Sequence, residues 1–283
     1  MSRTANGEAE AGEASGQPRT RQLIVTLFGL YGRDNGGALP VAALIRLLGA
    51  LGVASAPVRS SVSRLKKNGV LQRGPEAESP TYQLAPDLVE VFDEGDARIF
   101  GPRPERTAAR WLLVAFTVPE SRRNLRHLIR SALAGVGCGQ VTPGLWIARA
   151  DAEPSLRRQL ERIGAMDFVE LFLARRQPPT PTPEAVAKWW DLASLDAGYA
   201  RFVESFSPLL KRWDANPGGD LDAFAEYVPL LTRWRRFPYV DPGLPVELLP
   251  GDWHGIAAER LFDALHARLA APSRRAAVAL IAG

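Results

Sequence analysis

Cysteine is almost absent from this 283-residue chain: Cys138 is the only one. An intrachain disulfide is therefore excluded, which fits a reducing compartment. Histidine is scarce too. His127, His254 and His266 are scattered, so no zinc-ligand spacing exists. No stretch approaches the roughly 20 apolar residues of a membrane span. The opening MSRTANGEAEAGEASGQPRT lacks the apolar core of a secretory signal. These absences predict a soluble, cytoplasmic protein without a membrane partner. Enzyme signatures are missing as well: no G-x-S-x-G, no P-loop, no strand-linked G-x-G-x-x-G, no H-E-x-x-H. The sequence thus offers no catalytic residue, no metal ligand set and no cofactor site.

What is present suits two or three small domains with ordinary cores, since 46% of residues are hydrophobic. The net charge of +4 permits a polyanionic partner without requiring one. Residues 1–19 are small, polar and partly acidic, and read as a disordered tail. From Thr20 three helices follow in quick succession. RQLIVTLFGLYGR has a wide apolar stripe. PVAALIRLLGALG opens with Pro40 in its first turn and closes at Gly49 or Gly52. The third helix has Ser55 as N-cap, starts near Pro57 and ends at Asn68-Gly69. Val70–Gln72 and Thr81–Leu84 then read as two short strands. Three helices and a hairpin are the order of a winged helix–turn–helix over 20–100, with DLVEVFDEGDARIF as a helix leading out.

The stretch SAPVRSSVSRLKKNGVLQRG (Ser55–Gly74) carries five cations and no acid. At about 100° per residue, Val58, Val62 and Leu65 face the core, and Ser60, Ser63, Arg64 and Lys67 face away. Arg59 and Lys66 flank that face, and Arg73 adds charge from the first wing strand. Small hydroxyls beside long cations suit a helix in a major groove. They admit the backbone closely and can bond phosphate or a base edge. The plainer alternative is a solvated helix whose exposed face happens to be basic.

Beyond a Pro-containing junction, WLLVAFTV, ESRRNLRHLIRSALAGVG, QVTPGLWIARA, SLRRQLERIG and DFVELFLARR alternate strand and helix. That pattern predicts an α+β domain of ferredoxin-like, split-βαβ style over 105–176. Leu125, Leu128, Ile129 and Leu133 are its helix's expected buried face. The basic run Arg122–Arg130 could extend a DNA footprint, or simply be a solvated face or dimer contact. After the proline-rich RQPPTPTPEA, residues 184–283 read as a helical domain, with one helix interrupted at Pro229. Tryptophans 189, 190, 213, 234 and 253 fall here. Trp234 with Arg233, Arg235 and Arg236 is a candidate effector site, by ring stacking and phosphate clamping. Against that, most tryptophans in helical domains are core.

VRSSVSRLKKNGVLQR resembles the recognition helix and wing of the PaaX family of bacterial transcriptional regulators. YVDPGLPVELLPGDWHG (Tyr239–Gly255) resembles that family's late signature and is the more specific match. His254 stands where the family pattern carries proline. The resemblance implies a repressor that binds operator DNA as a homodimer. It also implies release by a small effector, phenylacetyl-coenzyme A in the founding regulator of phenylacetate catabolism. A dimer also makes physical sense, because one helix reads too few base pairs to select a genomic site. Two alternatives stay open: a nuclease or other enzyme that finds DNA with a winged helix, and a winged-helix scaffold for protein. The middle domain resembles small CRISPR-associated metal nucleases, but its first strand ends Thr117-Val118-Pro119 with no Asp for a metal.

Overall fold

A computed structural model describes residues 20–76, 79–103, 106, 110–175 and 183–283. The expected disordered tail and spacer residues 176–182 lie outside the described residues. Among those described, the fold is α+β: mostly helical, with two small antiparallel sheets. No described helix is long and apolar enough to cross a membrane. The chain groups into two compact units. One comprises Met1–Phe100, Phe202–Arg235 and Ala257–Gly283; the other comprises Gly101–Arg201 and Arg236–Ile256.

The first unit begins with α1 (Thr20–Leu27), which a π-helical turn extends through Phe28–Gly32. Then come β1 (Ala38–Pro40), α2 (Val41–Gly49), α3 (Ser55–Lys67), β2 (Leu71–Arg73), β3 (Thr81–Leu84) and α4 (Pro86–Phe100). The strands form one sheet in the order β1-β3-β2. β1 is an addition to the sequence reading, which placed Pro40 in a helical first turn. Pro40 instead pairs with Thr81 and acts as N-cap of α2. A proline is tolerated there because β1 is an edge strand. Ser55 is likewise not the cap of α3. Ala54 holds that position in extended conformation, and Ser55 is already helical.

The core of this unit is not closed by these elements alone. Leu23, Leu27, Phe28, Leu44, Leu47, Val58, Val62 and Leu65 cluster with Phe224, Val228, Ala276 and Ala277. Those last four come from α9 (Asp220–Trp234) and α11 (Gly255–Ala282). Polar ties reinforce the packing. Tyr31 Oη lies 2.6 Å from Ser273 Oγ, and Thr232 Oγ1 lies 2.8 Å from Thr26 Oγ1. Arg46 donates to the carbonyls of Leu280 and Ile281 at 2.7 and 2.8 Å. A cation on the last carbonyls of a helix satisfies orphan acceptors and opposes the helix dipole. The expected break at Pro229 does not occur, and α9 runs through it. Proline removes one intrahelical bond, while its neighbours Val228, Leu230 and Leu231 stay buried and hold the helix in place.

The second unit contains β4 (Trp111–Phe116), α5 (Arg123–Ala134), β5 (Gly139–Thr142), β6 (Leu145–Arg149), α6 (Glu153–Arg162) and β7 (Val169–Ala174). QVTPGLWIARA thus resolves into two strands around Pro143-Gly144. The sheet order is β5-β6-β4-β7 and every pairing is antiparallel. Leu112, Val114, Ile129, Leu133, Leu156 and Leu160 form its core. Leu128 does not join them and is 47% exposed. It lies about 100° round the helix from Ile129. Ala132, one turn on from Ile129, takes the buried place.

Candidate nucleic-acid interface

α3 is an amphipathic helix whose two sides separate cleanly. Val58, Val62 and Leu65 are at most 3% exposed. Arg59, Ser60, Ser63, Arg64, Lys66 and Lys67 are all exposed, and so is Arg73 on β2. Register carries Arg73 into the hairpin opposite Tyr82 of β3. The backbone between helix and strand turns at Gly69, with φ of +70°, where a side chain would be strained. Val70 N–H donates to Leu65 O at 2.9 Å, so the strand leaves directly from the end of the helix. α3 and β2 are thereby fixed to each other.

The electrostatics of this face are one-sided. No acidic residue occurs between Asp34 and Glu76. None of Arg59, Arg64, Lys66, Lys67 and Arg73 has an ion-pair partner among the described residues. Cations left without protein carboxylates keep their full charge available to an outside anion. The serines between them leave space along the helix for close approach.

The four candidate effector residues do not share one environment. Trp234 is 1% exposed, and its ring stacks on Phe262 at 4.5 Å and tilts against Phe202 at 5.3 Å. Arg233 lies half-buried over the Phe206 ring at 5.6 Å, and burial holds its guanidinium pKa below the usual value. Arg235 is half-buried and Arg236 is exposed. Trp190, Trp213 and Trp253 are also buried. Among the described residues no group of His, Cys, Asp or Glu could hold a metal ion. Cys138 is buried, and the glycines around it serve geometry. A Cβ on Gly139 would come within 2.5 Å of the Trp190 ring.

The late signature has a structural job in the second unit. Asp241 accepts from Tyr199 Oη at 2.8 Å, from Arg106 at 3.1 Å and from the Gly243 N–H at 2.7 Å. Arg149 donates to Gly243 O at 2.7 Å. Trp253 packs edge-on to Tyr199 at 5.6 Å, and Leu244 is fully buried. The segment is therefore a strap tied at its start by one carboxylate and held along its length by apolar residues. Tyr199 and Asp196 belong to α8 (Leu192–Ala215). At the departure from the family pattern, the His254 N–H donates to Asp196 at 2.7 Å. Proline could not make that bond.

The chain is similar to known proteins along most of its length. Three family models match in succession: PaaX-like protein over residues 19–88, the PaaX protein central Cas2-like domain over 104–186, and the PaaX-like protein C-terminal domain over 190–279. The transcriptional repressor PaaX of Escherichia coli is 28% identical over 255 residues, 88% of this chain and 79% of that protein. A solved structure of the uncharacterized protein Rv0674 from Mycobacterium tuberculosis shares the fold. Its TM-score is 0.54 at 22% identity, covering 90% of this chain and 97% of that one. Matched along its length by all three models, from the first helix to the last, the chain belongs to the PaaX family.

Proposed function

We propose that this chain is a transcriptional repressor that binds operator DNA through α3 and the β2–β3 hairpin. The similar Escherichia coli protein is a transcriptional repressor. In this reading residues 20–100 form a winged helix–turn–helix, 105–176 a ferredoxin-like βαββαβ domain and 184–283 a helical effector or dimerisation domain. Ser60, Ser63, Arg64 and Lys67 enter the major groove. Arg59, Lys66 and Arg73 grip phosphate at its edges. The observation that carries the reading is the division of α3: Val58, Val62 and Leu65 are buried, while Arg59, Ser60, Ser63, Arg64, Lys66 and Lys67, with Arg73, are exposed and their cations have no carboxylate partner among the described residues. A homodimer supplies the second half-site. The protein works in the cytoplasm, where its DNA is, and has no enzymatic step. Release follows binding of a small effector, with acyl-coenzyme A thioesters as the class to test and Arg233 as the first cation to substitute.

The deciding experiment is Arg64→Ala, assayed by gel shift at fixed salt on promoter DNA from the protein's own gene neighbourhood. Loss of a base or phosphate contact costs about 1–3 kcal/mol, so affinity falls by about fivefold to 150-fold. Far-UV circular dichroism stays unchanged, because Arg64 is outside the core. Unaltered affinity in the folded variant would rule out this docking face.

A further inference from the structure

α5 lies in a second acid-free stretch. No acidic residue occurs between Glu120 and Asp151. Arg123, Arg126, His127 and Arg130 follow the i, i+3, i+4, i+7 spacing, which gathers them into an arc of about 100° along one side of the helix. Arg123, His127 and Arg130 are exposed. Arg126 is drawn back toward the protein, donating to Val118 O at 2.8 Å and lying 3.6 Å from Glu120. Among the described residues Arg130 reaches a neutral group, Gln140 Oε1, at 3.2 Å. The side that packs on the sheet is separate: Ile129, Ala132 and Leu133 are buried.

Three features decide between partners. A protein interface centres on desolvated apolar or aromatic side chains. This strip has none, and the exposed Leu128 lies about 140° away from Arg123. A solvated face in a protein with nearly balanced charge normally interleaves acids, as α6 does with Glu153 and Glu161. From Arg123 to Arg130 the row runs seven residue steps, or about 10 Å. Each DNA strand carries one charge per about 3.4 Å of axis, so the row matches about three phosphates.

We propose that the Arg123–Arg130 strip of α5 is a second DNA contact, sequence-independent, made to the phosphate backbone of the duplex. This rests on the DNA-binding reading above and adds a different chemistry to it. α3 sets hydroxyls among its cations, whereas the α5 strip carries three arginines and His127 with no hydroxyl among them. Such contacts raise affinity for every sequence equally and add to the salt dependence.

The test uses the full-length chain and a random-sequence duplex of about 40 base pairs, long enough to offer flanking backbone to the protein. Binding is measured across a salt series for the wild type and for Arg123→Ala combined with Arg130→Ala. The expected result is a log–log salt slope shallower by about 2, since each phosphate contact contributes about 0.9. Affinity near 0.1 M salt falls at least tenfold. Circular dichroism reports the fold. A slope equal to that of the wild type overturns the α5 contact while leaving α3 untouched. So does an unchanged slope accompanied by loss of self-association in sedimentation, which assigns the strip to a protein partner. A wild type with no salt-dependent DNA binding overturns the DNA reading itself, and α5 with it.

Discussion

The two cores of this molecule are assembled from very different lengths of chain. The βαββαβ core takes its buried residues from Leu112 to Val169, one continuous segment. The core beneath α3 takes residues from Leu23 to Leu84 and then returns for Phe224, Val228, Ala276 and Ala277. The first is a local solution to burying one face of a sheet. The second borrows helices from the far end of the sequence. A small three-helix and hairpin module buries a modest fraction of its surface, so added helices supply apolar area that it lacks. α3 is thereby held by side chains encoded almost at the C-terminus.

The sharpest way to break that comparison is Phe224→Ala. Phe224 is fully buried and its ring lies 5.9 Å from that of Tyr31. Removing a buried phenylalanine costs about 3–5 kcal/mol through lost burial and a residual cavity. The substitution is remote in sequence from α1 and α3. Even so, amide hydrogen exchange accelerates in those two helices, while β4–β7 keep their protection. Protection in α1 and α3 that survives the substitution would mean the N-terminal module closes its own core.

Leu160→Ala is the complementary probe. Leu160 is fully buried within the βαββαβ core. A leucine-to-alanine change there costs about 2–5 kcal/mol. Exchange now rises across β4, α5 and α6, and α1 and α3 are spared. The pair of variants therefore separates two cores by where each loss is felt. Urea denaturation supplies the magnitudes.

Much of this was legible in the sequence. Val58, Val62 and Leu65 at helical spacing settle which side of α3 is buried, and the structure leaves Arg59, Ser60, Ser63, Arg64, Lys66 and Lys67 exposed. Periodicity reports that a face is buried, but never against what. Phe224, Val228, Ala276 and Ala277 carried no mark of their partners for that reason. The same limit applies to Trp234, whose flanking arginines suggest a ligand site while its ring is stacked on Phe262. β1 is invisible to periodicity because a three-residue strand ending in proline has no alternation to detect. Pro229 was overread because local chemistry disfavours proline in a helix, whereas tertiary packing outweighs one missing bond. Asp241 shows the opposite case. Its motif is visible in the chain, but its role needs Tyr199, Arg106 and the Gly243 N–H in one place.

The smallest expected effect tests how specifically the borrowed helix is seated. Tyr31 and Ser273 are 5% and 0% exposed and share a hydrogen bond of 2.6 Å. Burial raises the Tyr31 phenol pKa above its usual range, so the group stays neutral and the bond is an ordinary one between hydroxyls. Tyr31→Phe removes one partner and leaves the Ser273 hydroxyl buried, a loss of about 1–2 kcal/mol. Ser273→Ala does the converse and strands the phenol. The double variant removes both groups, and two absent partners cost less than one stranded partner. The double loss is therefore smaller than the sum of the single ones, with a coupling of about 1 kcal/mol. Strict additivity in that cycle would show that the hydroxyl of Ser273 is satisfied within its own helix, by a carbonyl one turn back. The seating of α11 would then rest on apolar contact, on Arg46 of α2 and on the Arg274–Asp34 ion pair.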